Sequence, residues 1–213
     1  MTTLDTTAGR ATRVRALLAC GVIAGPLYVG TSLVQAFTRP GFDMLRHPWS
    51  ALANGDLGWV QVTNLIVTGA LLVAFGAGLR HTTGGRWAPA LVAVFGLSMV
   101  VAGLFPAGPV PGFPVGTVAP VPVPASGLVH FAAGAIGFVA VAAACLLLGT
   151  RYAAARRPGR AWFCRVTAVA FLVAFAGLAG SGGSPAGTLG FIAALVLLLG
   201  CLATVATDAL RTV

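Results

Sequence analysis

The residues in this chain able to carry chemistry are few and unevenly placed. The stretch PGFDMLRHPWSALANGDLGWVQ, residues 40–61, holds Asp43, Arg46, His47, Ser50, Asn54 and Asp56, which include two of the four acidic residues and one of the three histidines. A second histidine, His130, stands in GLVHFAAGAIGF. Three kinds of chemistry fit these residue types. Convergent polar groups on otherwise apolar walls hold the head of an amphiphile, and Asp43, Arg46, His47, Gln61, Asn64 and His130 are the candidates for that. Two histidines and a carboxylate (His47, His130, Asp43) suit a zinc ion with a fourth position open to water, which would make a membrane hydrolase with Ser50 at hand as a further catalytic candidate. Two histidines also suit axial ligation of haem b for electron transfer, although His47 falls in a loop and such ligands belong on facing helices. No H-E-x-x-H, G-x-S-x-G or comparably compact signature fixes a geometry, so no cofactor is expected on sequence grounds. The pocket without catalysis ranks first, zinc-dependent hydrolysis second and haem last.

These residues are positioned by a chain built for lipid. Of 213 residues 58% are hydrophobic and 8% charged, with a mean hydropathy of +0.95, against about a quarter charged in an ordinary soluble domain. A crossing of the hydrocarbon core takes roughly 20 apolar residues as a helix. Six such runs are present, approximately 16–37, 57–79, 88–106, 126–150, 163–180 and 187–210. They are continuous rather than alternating, which excludes a β-barrel. The expected fold is an all-α integral membrane protein: a single six-helix transmembrane bundle over 16–210, with short tails at 1–15 and 211–213. The first run is too long for the apolar segment of a signal peptide and reads as a retained helix.

Arginine placement sets the expected orientation. Eleven of the thirteen basic residues fall in the N-terminal tail, the second and fourth connections and the C-terminal tail, leaving Arg39 and Arg46 in the first connection. Positive charge marks the cytoplasmic side, so both termini are expected inside. The net charge of +9 is thereby explained by topology and contact with membrane lipids, and RYAAARRPGR (151–160) calls for no nucleic acid. All thirteen are Arg, and Ala, Gly, Val and Pro abound, which suggests GC-rich coding and a bacterial inner membrane. Cys20, Cys145, Cys164 and Cys201 all lie in the cytoplasmic halves of their runs, without a C-x-x-C, and read as reduced structural thiols. Ion pumping is disfavoured, because no ionisable groups run in series through the midplane.

The polar residues collect instead near the outer face. Gln61, Asn64 and Thr68 recur at spacings of three and four on one face of the second run, and Gln35 ends the first. Polar groups near hydrocarbon must find partners, so the expectation is an outward-opening polar cavity roofed by the first connection and by the third, AGPVPGFPVGTVAPVPVP (107–124). That proline-rich, uncharged segment favours extended conformations. Trp49 and Trp59 read as interface aromatics, and His81 as a solvated residue at the opposite interface. Asp43 with Arg46 and Asp208 with Arg211, each three apart, read as local ion pairs. Gly21 with Gly25, and Gly183 with Gly187, read as close-packing faces that leave the oligomeric state open.

Three motifs in order, RPGFDMLRHPWSALANGDLGWVQ, GLFPAGPVPGFPVGT and GLVHFAAGAIGF, resemble the bacterial membrane family known as domain of unknown function 998, and the resemblance spans nearly the whole chain. It implies a six-helix inner-membrane architecture without an assigned activity, and recurring polar positions at Arg46, His47, Ser50 and His130. One departure stands out. Relatives tend to carry an aspartate before proline in the third connection, where this chain has Gly108 before Pro109, which counts against an intact catalytic or metal site.

Overall fold

The computed structural model describes residues 3–119 and 121–213, with side chains from Gly9 onward. Six helices follow one another: α1 (Thr3–Thr38), α2 (Gly58–Leu79), α3 (Trp87–Leu104), α4 (Ala125–Ala154), α5 (Pro158–Gly180) and α6 (Pro185–Leu210). A 3-10 helix, Trp49–Ala53, sits between α1 and α2. Each of the six is long and apolar enough to cross a membrane. Among the described residues there is no strand, only an isolated bridge between Val110 and Phe113.

The helix limits differ from the hydropathy runs where polar residues still favour helix. The α1 helix begins at Thr3, well before residue 16, because its Ala- and Arg-rich start prolongs the helix beyond the apolar part. The α4 helix likewise runs past residue 150 to Ala154, while α5 and α6 each start on a proline, at Pro158 and Pro185. Proline at the first helical position has no amide to waste and a preset φ. Ser184 caps α6 by accepting the Gly187 amide at 3.2 Å, and Gly183 lies in the preceding turn rather than on a helix face.

A tight turn joins α4 to α5. The Arg156 amide reaches the Ala153 carbonyl at 3.0 Å and the Arg157 amide reaches that of Tyr152 at 2.9 Å, the pairing of a Schellman motif with Ala155 as the cap. Its left-handed position, normally a glycine, is occupied by Arg156 at φ 56°. A side-chain-bearing residue in that conformation costs roughly 1–2 kcal/mol.

The helices form a closed ring in which each packs on its neighbours in sequence and α6 returns to α1. Gly21 and Gly25 make that closure: a methyl at Gly21 would strike Phe75 of α2 and Ala206 of α6, and one at Gly25 would press on Leu199. These small residues therefore serve contacts inside the chain. Phe75, Phe95, Phe171 and Leu198 are fully buried in the core, whereas Val34, Phe37, Leu97, Ile136, Val139 and Val173 are exposed on the helix exteriors. Such a continuous apolar exterior suits lipid, not water.

The first, third and fifth connections share one end, here the loop end. The chain termini and the second and fourth connections share the other, the arginine end, where Arg15 donates to the Val213 carbonyl at 2.7 Å and Arg151 to that of Thr83. Asp208 departs from the expected local pair. It is buried at the arginine end and holds Arg160 at 3.0 Å, Arg157 at 3.3 Å and the Tyr152 hydroxyl at 3.1 Å, while Arg211 is the most distant at 3.9 Å. Tertiary packing brings α5 closer to the carboxylate than the next turn of its own helix. Cys145, Cys164 and Cys201 are buried between α4, α5 and α6, with 3.7 Å between the sulfurs of Cys164 and Cys201, and Cys20 donates to the Ala16 carbonyl.

Candidate functional site

At the loop end the first connection is folded by Arg39, which the sequence left as an unremarkable loop charge. The 3-10 helix ends with unpaired carbonyls, as every such helix must. Arg39 takes them up, donating to Leu52 and, at 2.6 Å, to Asn54, with its guanidinium 4.9 Å from the centre of the Phe113 ring. Burial lowers the Arg39 pKa and the charge of Asp56 opposes that shift. This arrangement pulls the 3-10 helix into the bundle and buries Trp49 against Tyr28, with ring centres 6.0 Å apart. Trp49 is thus a core residue and not an interface aromatic, whereas Trp59 is exposed at the helix exterior.

The third connection docks on the first. Phe113 is buried edge-on to Phe42 and next to His47, and Asn54 donates to the Gly108 carbonyl at 2.9 Å. His47 joins the two segments through both ring nitrogens. Its Nδ1 accepts the Asp43 amide at 3.0 Å, so the ring proton resides on Nε2, which donates to the Pro111 carbonyl at 3.0 Å. Asp43 itself accepts the Leu45 amide at 2.8 Å and pairs loosely with the exposed Arg46 at 3.7 Å. Gly108 has φ +91° and a methyl there would lie 2.7 Å from the Pro124 ring, so the backbone has no place for an aspartate.

Beneath these loops lies a cavity of about 790 Å³ bordered by all six helices. Its loop-end rim carries Arg46, His47, Ser50 and His130, and the proline-rich segment adds Val110 and Pro111 as a roof. Its depth is apolar, lined by Phe95, Phe138, Phe175, Phe191 and Leu195, but for Ser98, whose hydroxyl donates to the Phe95 carbonyl at 2.8 Å. Phe138 holds this wall together, meeting Phe175 at 4.9 Å and Phe191 at 5.5 Å. The cavity is not fully enclosed, and its exposed lining residues include some at the loop-end halves of α4 and α5. Phe131, at 52% exposure, and Ala179 both line the cavity and are exposed, as are Gly182 and Gly183 beyond α5. His130 is 7% exposed, and its Nδ1 faces the carbonyls of Ala102 at 3.0 Å and Phe105 at 3.1 Å. Two acceptors require a donor, so Nδ1 carries a proton, and Nε2 has no protein partner among the described residues.

Gln61 and Asn64 lie elsewhere. With Thr68 they face α1 and form a sealed cluster with Ser32, Gln35 and the Tyr28 backbone. The Gln61 carbonyl oxygen accepts from Gln35 at 2.8 Å, Asn64 at 3.2 Å and Ser32 at 3.4 Å. Its amide returns to Ser32 at 3.2 Å, and Asn64 also donates to the Tyr28 carbonyl at 3.2 Å. Both are buried and neither borders the cavity. The structure therefore gathers Arg46, His47, Ser50 and His130 around one space, places Asp43 behind His47 and separates the amides from all of them. Among the described residues no three His, Cys, Asp or Glu side chains converge closely enough to ligate one metal ion.

No curated protein and no solved structure matches this chain. A family described as "Protein of unknown function (DUF998)" matches residues 22–209, from the first helix to the last. The chain, a multi-pass membrane protein by its six spanning helices, belongs to the DUF998 family.

Proposed function

We propose that this protein holds a lipid-like amphiphile in the loop-end cavity, its polar head at the rim of Arg46, His47, Ser50 and His130 and its tail among the phenylalanines below. The observation that carries this reading is the cavity itself: a space of ligand size with Arg46, His47, Ser50 and His130 at its rim, a depth that is apolar but for Ser98, and exposed lining residues on α4 and α5, two helices that face lipid. An amphiphile entering sideways between α4 and α5 never exposes its tail to water. His130 meets the head through Nε2, since Nδ1 is held by two carbonyls. The rim faces outward from a bacterial inner membrane, an orientation supported by the arginines at the opposite end.

The hydrolase reading is weaker on the donor set. Both ring nitrogens of His47 hold backbone groups, and the Asp43 carboxylate is committed to Leu45 and Arg46. Native mass spectrometry after purification in a mild, lipid-preserving detergent distinguishes the outcomes. The expected spectrum shows one bound species of lipid mass, which disappears in Leu195→Trp as the larger side chain fills the depth of the cavity. A bare chain, or a lipid retained equally by Leu195→Trp, overturns the reading. One zinc per chain that is lost in both His47→Ala and His130→Ala selects the hydrolase instead.

A further inference from the structure

We infer that the groove between the end of α4 and the start of α5, at the arginine end, is a binding site for the phosphate headgroup of an anionic membrane phospholipid. The groove encloses about 420 Å³ and is lined by Ala153, Arg156, Pro158, Ala161, Trp162 and Arg165. It lies at the opposite end of the bundle from the cavity rim, shares no lining residue with the cavity and does not depend on the reading given to it. Three observations converge on it.

The first is charge without a partner. Arg157 and Arg160 at this turn are neutralised by Asp208, and Arg151 is engaged by the Thr83 carbonyl. The guanidinium groups of Arg156 and Arg165 have neither an ion pair nor a hydrogen bond among the described residues. The second is backbone strain. Arg156 occupies the left-handed position of the Schellman turn, where glycine is free of cost, so the sequence tolerates strain to keep a cationic side chain at the mouth of the groove. The third is the setting. Pro158, Ala161, Trp162 and Arg165 follow one face of α5, and Arg165 lies across α4 at Gly149, where a methyl would come within 3.0 Å of its Cγ. Trp162 is 65% exposed beside them, as suits a ring at headgroup level with acyl chains alongside. Two cations above an apolar floor match a phosphodiester carrying two chains.

The test counts bound lipid. The full chain in a neutral detergent is titrated with dioleoyl phosphatidylglycerol and, separately, with dioleoyl phosphatidylcholine, and adducts are resolved by native mass spectrometry. The expected result is preferential binding of phosphatidylglycerol, about fivefold weaker in Arg156→Gly and in Arg165→Gln and unchanged in Arg80→Gln. Arg156→Gly relieves the turn, so its melting temperature without added lipid is expected to be no lower than the parent's, which separates lost binding from lost folding. Binding in the Leu195→Trp variant is expected to be retained, which separates this site from the cavity. Equal binding of the two lipids, undiminished binding in both groove variants, equal weakening by Arg80→Gln, or equal occupancy by inorganic phosphate alone would overturn the assignment.

Discussion

The amide cluster between α1 and α2 and the rim of the cavity lie at the same end of the bundle and use similar residues, yet they treat polarity near hydrocarbon in opposite ways. In the cluster, Gln61 is fully buried and its carbonyl oxygen serves three donors from Ser32, Gln35 and Asn64. Apart from the side-chain carbonyl oxygen of Gln35, which is buried without a hydrogen-bond partner among the described residues, polarity there is consumed within the protein and acts as a fastening between two helices. At the rim, by contrast, the protein spends only part of each side chain. His130 gives Nδ1 to two carbonyls and keeps Nε2 for the cavity, and Arg46 is mostly exposed. The contrast teaches that a polar residue inside a membrane helix marks a site only when its hydrogen-bonding capacity exceeds what its neighbours absorb.

The sharpest way to break this division is Gln61→Leu. Three donors lose their acceptor, and at the modest worth of hydrogen bonds between membrane helices the expected loss is about 2 kcal/mol of stability. Thermal unfolding in detergent checks the loss, and mass spectrometry should show the cavity ligand retained. A ligand lost together with Gln61 would mean that cluster and rim are one system. His130→Ala inverts the pattern: about tenfold lower ligand occupancy, from the loss of one hydrogen bond to the head, with stability changed by less than about 1 kcal/mol. A retained ligand would remove His130 from the proposed rim. The smallest effect belongs to Asp43→Asn, where the lost partner is an exposed arginine. Asparagine can still accept the Leu45 amide, so stability should move by under about 0.5 kcal/mol and occupancy not at all.

These expectations also locate what the sequence could say. The six helices were legible because each crossing demands an unbroken apolar run, and Arg46, His47, Ser50 and His130 were legible as companions because alternate helix ends meet on one side. The spacing of Gln61, Asn64 and Thr68 correctly placed them on one face. It could not say that this face meets Ser32 and Gln35 instead of the cavity, since helical period defines a face and not its neighbour. Trp49 misled for a related reason. Its burial follows from Arg39 gathering the carbonyls of Leu52 and Asn54, a contact across thirteen residues and more that no local pattern carries. Asp208 likewise displayed Arg211 one turn away, while its closer partners, Arg160 and Arg157, arrive from the start of α5 and the turn before it.

The unequal helix lengths shape the membrane around the protein. At 1.5 Å per residue, the 18 residues of α3 span about 27 Å, whereas the 30 of α4 beside it extend about 45 Å. A hydrocarbon slab is about 30 Å thick, so it overhangs α3 by a few ångström while α4 reaches through it into the headgroups. A dimple of the bilayer by a few ångström along the α3 flank, between the exposed Trp87 at one end and Leu104 and Phe105 at the other, would match the slab to this helix. Each ångström of that dimple costs a fraction of a kcal/mol, a penalty that vanishes in a thinner film. The shortest helix is thus the one most sensitive to membrane thickness, and a film a few ångström thinner than the usual slab fits it best, independently of anything the protein binds.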